Sequence, residues 1–347
     1  MSRVLAGAGA AALLAIAACG SKQDPAESAN AAGSAPEAGS APAAVRAAGS
    51  APTGGAAGSA AAGAAAAGSP PLPGGALRIE GFRTPRAVLH DAEADVYLVS
   101  NVNGDPAAAD DDDNGFISRV SPSGKLLELR WIDGARDEDL QLSAPMGMAL
   151  AGGVLWVVDC NRVHAFDAKT GKLRKTHKLG PDASLADVAI VDGAPVVSDE
   201  GPELGPGMLY RIAARGRPAP YLRPNQRDVG RPHGLYAAGD GSIWVTADRE
   251  LYRVVRGERV AHAELPDGPL DGVVGLPGGE LLVASHEGII YRGRPAPDGR
   301  GPLAVAWTAA ITGLLPPSDL GLDAGRRRLL IPLVLANAVE IRDLAPP

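Results

Sequence analysis

From Ala76 onward, short apolar runs alternate with turns rich in Gly, Pro and Asp, and no long helical period appears. Apolar runs of roughly four to eight residues bounded by turn residues are typical of β-strands. One unit recurs six times, and its first segment sets a small or acidic residue just before an apolar run. These first segments read PRAVLHD, PMGMALA, LADVAIV, PHGLYAA, LDGVVGL and PSDLGLD.

Further strand-like segments follow in each unit. The second segments are VYLVSN, LWVVDC, PVVSDE, IWVTAD, LLVASH and LLIPLV, and the third are FISRVS, VHAFDA, LYRIAA, LYRVVR, IIYRGR and AVEIRD. Fourth segments occur in five units, as LLELRWI, LRKTHKL, PAPYL, VAHAEL and LAVAWT. The sixth unit lacks one, and ALRIEGF, which begins at Ala76, is the candidate to complete it. This pattern predicts an all-β, six-bladed β-propeller with four-stranded blades, the last closed by the N-terminal strand.

The residues before Ala76 follow a different pattern. An apolar run, Val4 to Ala18, follows Arg3 and is too short to span a bilayer. It ends in IAAC, which resembles a bacterial lipobox and implies cleavage after residue 18 and lipidation of Cys19. The alternative is an ordinary secretory signal with an incidental cysteine. Residues 19–75 consist mainly of Ala, Gly, Ser and Pro and are predicted to be a disordered tether.

Lipidation of Cys19 would attach the chain to the cell envelope. No aspartate follows Cys19 directly, which favours the outer membrane, with the domain facing the periplasm or the cell surface. The membrane, reached through the N-terminal lipid, is therefore one predicted partner.

Composition limits the classes of function. The chain has 347 residues, of which 46% are hydrophobic, so residues 76–347 suffice for one large domain. The net charge of −7 and the lack of a basic stripe argue against a nucleic-acid partner. Two cysteines give no disulfide framework, and Cys160, at a predicted strand end, is expected to be a buried inert thiol.

The segments TPRAVLHD, SLADVAIV, RPHGLYAAGDGSIWV and PLDGVVGLPGGELLV resemble the senescence-marker-protein/gluconolactonase (regucalcin-like) family of six-bladed propellers. The resemblance implies a divalent cation at the mouth of the central channel, where it polarises a lactone carbonyl and lowers the pKa of a water. Family ligands are a glutamate opening blade one, asparagines opening blades three and four, and an aspartate opening blade five. The matching positions here are Arg86, Ala186, His233 and Asp271.

Only Asp271 retains the family ligand. Arg86 would repel a divalent cation, because a guanidinium stays charged. Asp187 adjoins Ala186, so a one-residue shift in the alignment leaves a metal site open. No cofactor follows from the residues themselves, and the candidate is Ca²⁺ or another divalent cation.

One face of the channel is predicted to carry the chemistry. The innermost strand starts where the second strand ends, because the two run antiparallel, so both sets of termini share a face. The binding residues predicted there are Arg86, Asn101, Asp187, His233, Asp271, His286 and Asp319. A second interpretation is that each aspartate only accepts backbone N–H bonds. Arg86 is expected to pair with Asp271 or Asp319.

Candidate catalytic residues on this face are His233, Asp271 and Asp187, and the first two are also the candidate metal ligands. A separate candidate is the rim loop DDDDNG, in which Asp110, Asp112 and Asn114 fit the opening of a calcium loop. Its twelfth position is Ser121, where a calcium loop of this type needs a bidentate glutamate. The loop is therefore either a solvated acidic segment or a weak calcium site.

Three functions are compatible with these residues. The favoured one is an envelope-anchored lipoprotein that binds a small molecule or an envelope protein at its channel face, with a degenerate metal site and no enzymatic activity. The alternative is a divalent-metal-dependent lactone or ester hydrolase. A structural component of the envelope is the third.

Overall fold

The computed structural model describes residues 17–20, 76–104, 108–110, 112–202, 206–213, 217–223, 229–296 and 298–344. The predicted signal peptide and tether lie outside these residues, apart from a short strand, Ala17–Gly20, which pairs in parallel with Ala108–Asp110. Within the described residues, no helix has the length and apolar character needed to cross a membrane.

Six antiparallel sheets form a ring, and each is one blade of a six-bladed β-propeller. From the channel outward, blade one consists of Pro85–Asp91, Val96–Asn101, Phe116–Val120 and Leu126–Asp133. Blade two consists of Pro145–Ala151, Val154–Asp159, Arg162–Asp167 and Leu173–Lys178. Blade three consists of Leu185–Val191, Ala194–Asp199, Met208–Arg211 and Ala219–Pro220.

The remaining blades follow the same order. Blade four consists of Pro232–Ala237, Ser242–Ala247, Glu250–Val255 and Glu258–Glu264. Blade five consists of Leu270–Leu276, Glu280–Ser285, Ile289–Gly293 and Thr308–Ile311. Blade six consists of Gly321–Asp323, Arg328–Leu333, Ala338–Asp343 and Leu77–Glu80, with a 3₁₀ turn at Val334–Ala336. The prediction of six four-stranded blades is confirmed.

Blade six joins the two ends of the domain. Leu77–Glu80 pairs antiparallel with Ala338–Asp343, so that Leu77 lies opposite Ile341 and Glu80 lies opposite Ala338. Ile79 and Phe82 are buried in a cluster shared by blades six and one. The predicted closure by the N-terminal strand is therefore confirmed, and it leaves no open edge at the junction.

The hydrophobic core is divided among the blade interfaces. Six apolar clusters of the described residues each combine side chains from two neighbouring blades. Strand residues alternate between the two faces of a sheet, so an apolar residue at every second position packs against the next blade. The near-continuous apolar runs of the second segments follow from this, because those strands are covered on both faces.

The fourth segment predicted for unit five, LAVAWT, is not the observed strand. The outermost strand of blade five is Thr308–Ile311, and Gly301–Pro302 pairs in parallel with the outermost strand of blade four. Leu303 and Trp307 pack against the core between blades four and five. The apolar pattern of LAVAWT thus reflects packing between blades four and five. Strand pairing in blade five begins only at its last residue, Thr308.

Candidate functional site

The innermost strands of blades one to five share a β-bulge near their start. Each register shift spans two residues, which we call the first and second bulge positions. The first positions are Arg86, Met146, Ala186, His233 and Asp271, and the second are Ala87, Gly147, Asp187, Gly234 and Gly272. A bulge re-aims the side chains that it contains. Asp187 therefore occupies the second bulge position of blade three, and Ala186 occupies the first, which is equivalent to Arg86, His233 and Asp271.

Blade six enters the ring through a different contact. Its innermost strand is short, and Ser318 and Asp319 precede it. The Asp319 amide donates a hydrogen bond to the Arg86 carbonyl at 3.0 Å, and Asp319 bridges to Ala87 in parallel. The start of blade six thus lies against the bulge of blade one.

Hydroxyl groups on the second strands hold three of these bulges in place. The Ser100 hydroxyl accepts the Ala87 amide at 2.9 Å, and Ser198 accepts the Asp187 amide at 3.0 Å. Ser198 also donates to the His233 carbonyl of the next blade at 2.5 Å. In blade four, Thr246 accepts the Gly234 amide at 2.8 Å and donates to the Asp271 carbonyl at 2.6 Å. These hydroxyls satisfy amides that the bulge releases, and they fix the backbone of His233 and Asp271.

The second bulge positions face the neighbouring blade at close range. A Cβ atom on Gly234 would lie 2.4 Å from the Asp271 carbonyl oxygen, and one on Gly272 would lie 2.3 Å from the Leu320 amide. A Cβ atom on Gly147 would lie 2.0 Å from Oδ1 of Asp187. Small residues at these positions therefore allow the inner strands to approach one another around the channel.

Asp271 is the centre of a polar cluster on the channel face, and it is 0% exposed. His286 Nε2 lies 2.8 Å from its Oδ2, and the Ser318 hydroxyl donates to the same oxygen at 3.0 Å. His233 Nδ1 lies 3.2 Å from Oδ1 but is not aligned for a hydrogen bond. Burial raises the pKa of Asp271, but the adjacent His233 and His286 rings outweigh it and hold the pKa well below its usual range.

His233 connects this aspartate to a second acid. Its Nε2 lies 3.2 Å from Oε1 of Glu200, whose other oxygen accepts a hydrogen bond from Arg231 at 2.7 Å. Burial lowers the pKa of His233, but the nearby Asp271 and Glu200 carboxylates raise it by more. The buried imidazole is thus stabilised in its protonated form between two carboxylates.

Asp187 and Asp319 form a separate pair of carboxyl groups. Asp187 accepts the amides of Val188 and Leu235 at 2.6 and 2.7 Å. Burial is the main cause that raises the pKa of both aspartates, and Asp319 hydrogen-bonds to Asp187. Blades three and six stand opposite each other in a ring of six, so this pair spans the channel. Two adjoining carboxyls with raised pKa values can hold one proton between them.

Arg86 is the cation of this face, and it is 2% exposed. Its Nε and Nη2 are enclosed and have no hydrogen-bond partner in the described part of the chain. No ion pair joins its guanidinium to any described carboxylate within 4.0 Å. The predicted pairing of Arg86 with Asp271 or Asp319 is therefore wrong: Asp271 is taken by two histidines and Ser318, and Asp319 by Asp187.

No model of a known protein family matches the chain, and no curated protein matches it in sequence. Solved structures do match its fold. A luciferin-regenerating enzyme matches with a TM-score of 0.54 and 12% identity, over 78% of this chain and 96% of that one. The WD40 β-propeller domain of Doa1 matches with a TM-score of 0.54 and 12% identity, over 75% and 79% of the two chains.

A third match is the β-propeller domain of Cps50 (Swd1) from Myceliophteria thermophila, with a TM-score of 0.52 and 12% identity, over 78% and 98% of the two chains. At these identities the likeness concerns the fold alone. It places the chain among β-propellers, an architecture that serves ligand binding, protein binding and catalysis on one scaffold.

Asn101 lies at the end of its strand, as predicted, but its polar atoms are engaged locally. Its Oδ1 accepts the Arg83 amide at 2.9 Å, and its Nδ2 donates to the Val99 carbonyl at 2.9 Å and to Ser118 at 3.1 Å. Asp159 and Asp199 accept backbone amides at the same place in blades two and three. These strand-end residues orient the turns into the innermost strands, so the interpretation as backbone acceptors holds for them.

The structure does not assemble a metal centre from the predicted ligands. In the described ranges, no group of three or more His, Cys, Asp and Glu side chains is arranged to hold a metal ion. In the rim loop, Asp112 accepts the Asn114 amide at 3.2 Å, and Asn103 donates to the Asn114 side-chain oxygen at 3.1 Å. The side chain of Asp110 lies outside the described residues.

Three residues of the cluster were not predicted, namely Glu200, Arg231 and Ser318. Ser318 precedes Asp319 just as Asp271 precedes Gly272, so aligning the sixth repeat with the fifth would have found it. Glu200 follows the last residue of a second strand, and Arg231 precedes an inner strand. Both residues lie at strand termini on the channel face, but no feature of the repeat indicates that Glu200 pairs with Arg231.

Cys160 is buried and lies at the hairpin turn of blade two with a φ of 52°. It is disulfide-bonded, so the prediction of a free thiol is wrong. The other cysteine of the chain is Cys19, whose side chain lies outside the described residues.

Proposed function

We propose that the protein is an envelope-anchored lipoprotein whose propeller binds a small molecule at the channel face. The observation that carries this proposal is the enclosed guanidinium of Arg86, which has no ion-pair partner among the described residues and lies on the same face as the Asp271 cluster. Burying an unpaired charge is costly, and natural proteins pair such charges or give them a ligand. The lipobox-like sequence before Cys19 and the Ala/Gly/Ser/Pro tether support attachment to the cell envelope.

The residues do not fit the divalent cation that the regucalcin-like resemblance implies. Arg86 occupies the position of the first family ligand, and Ala186 offers no donor atom at another. His233 and Asp271, the remaining two, contact each other at 3.2 Å. A binding protein derived from this propeller family, with a lost metal site, is therefore our proposal, and we assign no lactonase step to this face.

A concave surface also lies away from the channel face, but its residues support ligand binding less well. A groove of 660 Å³ runs between blades one and two and is lined in part by Asp167 and Arg174. These two side chains pair with one another at 2.5 Å, so their charges are already satisfied. On the channel face, Arg86 is enclosed and has no ion-pair partner in the described part of the chain, and that is why we place the ligand there.

The proposal is tested by screening polar metabolites for thermal stabilisation of the purified protein. We expect at least one compound to raise the melting temperature of the wild type and to lose this effect in Asp271→Asn. Arg326→Met, which removes the ion pairs of this side chain with Asp95 and Asp323 away from the channel face, serves as the control. If no small molecule stabilises the protein, and envelope proteins alone are recovered with it, the proposal is wrong in favour of a structural or protein-binding role.

A further inference from the structure

Two unpartnered atoms of Arg86 define the shape of the group that completes the site. Nε and Nη2 lie on the same edge of the guanidinium, and their N–H bonds point in one direction. That edge matches two oxygens of a single acceptor, as in a bidentate arginine–carboxylate pair. A lone hydroxyl or carbonyl would satisfy only one of the two donors. The edge therefore calls for a group with two coplanar oxygens.

The neighbouring polar atoms add to this picture. Nδ1 of His286 is enclosed and has no hydrogen-bond partner among the described residues, and neither ring nitrogen of His233 makes an aligned hydrogen bond. These groups are donors when the rings are protonated. Apart from Oδ1 of Asp271, which is an acceptor, these unpaired polar atoms of the described residues can act as donors and are complemented by acceptor atoms of a ligand.

The carboxyl groups already on this face favour a ligand with a single negative charge. Asp271 lies beside His233 and His286, and Glu200 pairs with Arg231 and contacts His233. Asp187 and Asp319 adjoin each other and resist a further anion. One cation, Arg86, is left without an ion-pair partner among the described groups. A dianionic phosphate would bring a second negative charge to a face that already holds Asp187, Asp271 and Asp319, whereas a carboxylate brings only one.

We propose that the ligand of the channel face carries a carboxylate, which binds bidentately to the Nε–Nη2 edge of Arg86. This inference rests on the proposed function, since it names the chemical class of the ligand for the same site. The rest of the ligand presents hydrogen-bond acceptors to His233 and His286. Arg86 is then a binding residue, and its charge is neutralised only in the complex.

The test measures binding to the purified protein by calorimetry and by thermal stabilisation. The probes are small carboxylates (acetate, lactate and benzoate), the matching carboxamides, and methyl phosphate. We expect carboxylates to bind and carboxamides not to bind. Arg86→Met is expected to weaken carboxylate binding by about tenfold or more, the usual effect of losing a charge-assisted hydrogen bond. Arg326→Met is expected to leave it unchanged.

Arg86→Lys keeps the positive charge but loses the two parallel N–H donors of the Nε–Nη2 edge. It is included because Arg86→Met could lose binding simply by failing to fold. We expect it to bind carboxylates several-fold more weakly than the wild type. In protein labelled with ¹⁵N-arginine, the Nε–H resonance that Arg86→Lys removes is expected to shift on addition of the carboxylate that binds best.

Each other outcome overturns the inference. Carboxamides that bind as well as carboxylates, an unchanged affinity in Arg86→Lys, or an unmoved Nε–H resonance would contradict a bidentate carboxylate. Binding of methyl phosphate or of neutral probes alone refutes the carboxylate but leaves the proposed small-molecule site standing. Absence of binding by every probe and every metabolite refutes both.

Discussion

The closure of blade six makes a prediction about the stability of the whole ring. Ile79 is 6% exposed and Phe82 is 0% exposed, and both pack against blades six and one. Leu77 belongs to the same strand but is 38% exposed. Replacing each of these residues by alanine separates the contribution of the buried side chains from that of the strand itself.

The magnitudes follow from burial. A buried isoleucine replaced by alanine costs about 2–5 kcal/mol, and a buried phenylalanine costs about 3–5 kcal/mol. Leu77→Ala is expected to cost about 1 kcal/mol or less, because its side chain is already part-exposed. Deleting residues 76–82 removes both buried side chains and a four-residue ladder. The combined loss, roughly 5–10 kcal/mol, approaches the roughly 5–15 kcal/mol that stabilises a typical domain.

Urea denaturation followed by fluorescence of the four tryptophans measures these losses. We expect Ile79→Ala and Phe82→Ala to lower the midpoint well below that of Leu77→Ala, and the 76–82 deletion to leave little folded protein. Removal of residues 22–71, which precede the ring, is the control and is expected to leave the midpoint unchanged. Equal losses from the strand deletion and the tether deletion would refute closure as a source of stability.

Four further predictions test other parts of the molecule. Thr246→Val leaves two buried backbone groups without a partner, so urea denaturation is expected to show a loss of about 2 kcal/mol, whereas Thr246→Ser restores most of it. Gly234→Ala forces a Cβ atom against the Asp271 carbonyl, so it is expected to destabilise by about 2 kcal/mol or more, and a tolerated alanine would show that the inner strands are not tightly packed there. The pKa of His233 is raised in the folded state, so protonated His233 stabilises the fold fully below about pH 6.5, the usual pKa, and this stabilisation is lost as pH rises through the folded-state pKa. The difference in denaturation midpoint between the wild type and His233→Gln is therefore expected to shrink from pH 6 to pH 8. A difference that grows over this range would contradict a raised pKa of His233. Mass spectrometry of the N-terminal peptide is expected to show a lipid on Cys19, and membrane fractionation is expected to show release of Cys19→Ala, whereas an N-terminal peptide without a lipid would overturn the anchor.

The sequence was sufficient for the repeat and for the placement of most strands. A small or acidic residue before the first apolar run, an apolar second segment and a strand-like third segment recur in every unit, so the pattern located these strands. Aligning the first segments of the repeats also placed Arg86, His233 and Asp271 at equivalent positions, and the structure places all three at the first bulge position. Strand periodicity is a local property, and a repeat multiplies its signal.

The partners of these residues could not be predicted in the same way. His233 contacts Glu200 from blade three and Asp271 from blade five, and such contacts depend on how neighbouring blades are rotated against each other. Arg86 was expected to pair with an acid because acids outnumber cations on that face. The prediction failed because hydrogen bonds already engage Asp271 and Asp319, and only the assembled ring shows which groups remain unpaired.

The pairing of Leu77–Glu80 with Ala338–Asp343 also sets an order of events during synthesis. Leu77 leaves the ribosome well before its partner Ile341. The final blade therefore cannot form until Ala338–Asp343 has been made, and any product that stops before Ala338 retains an unpaired edge on both sides of the gap. The ring thereby distinguishes chains that include blade six from chains truncated before it, since only the former can bury Ile79 and Phe82 together.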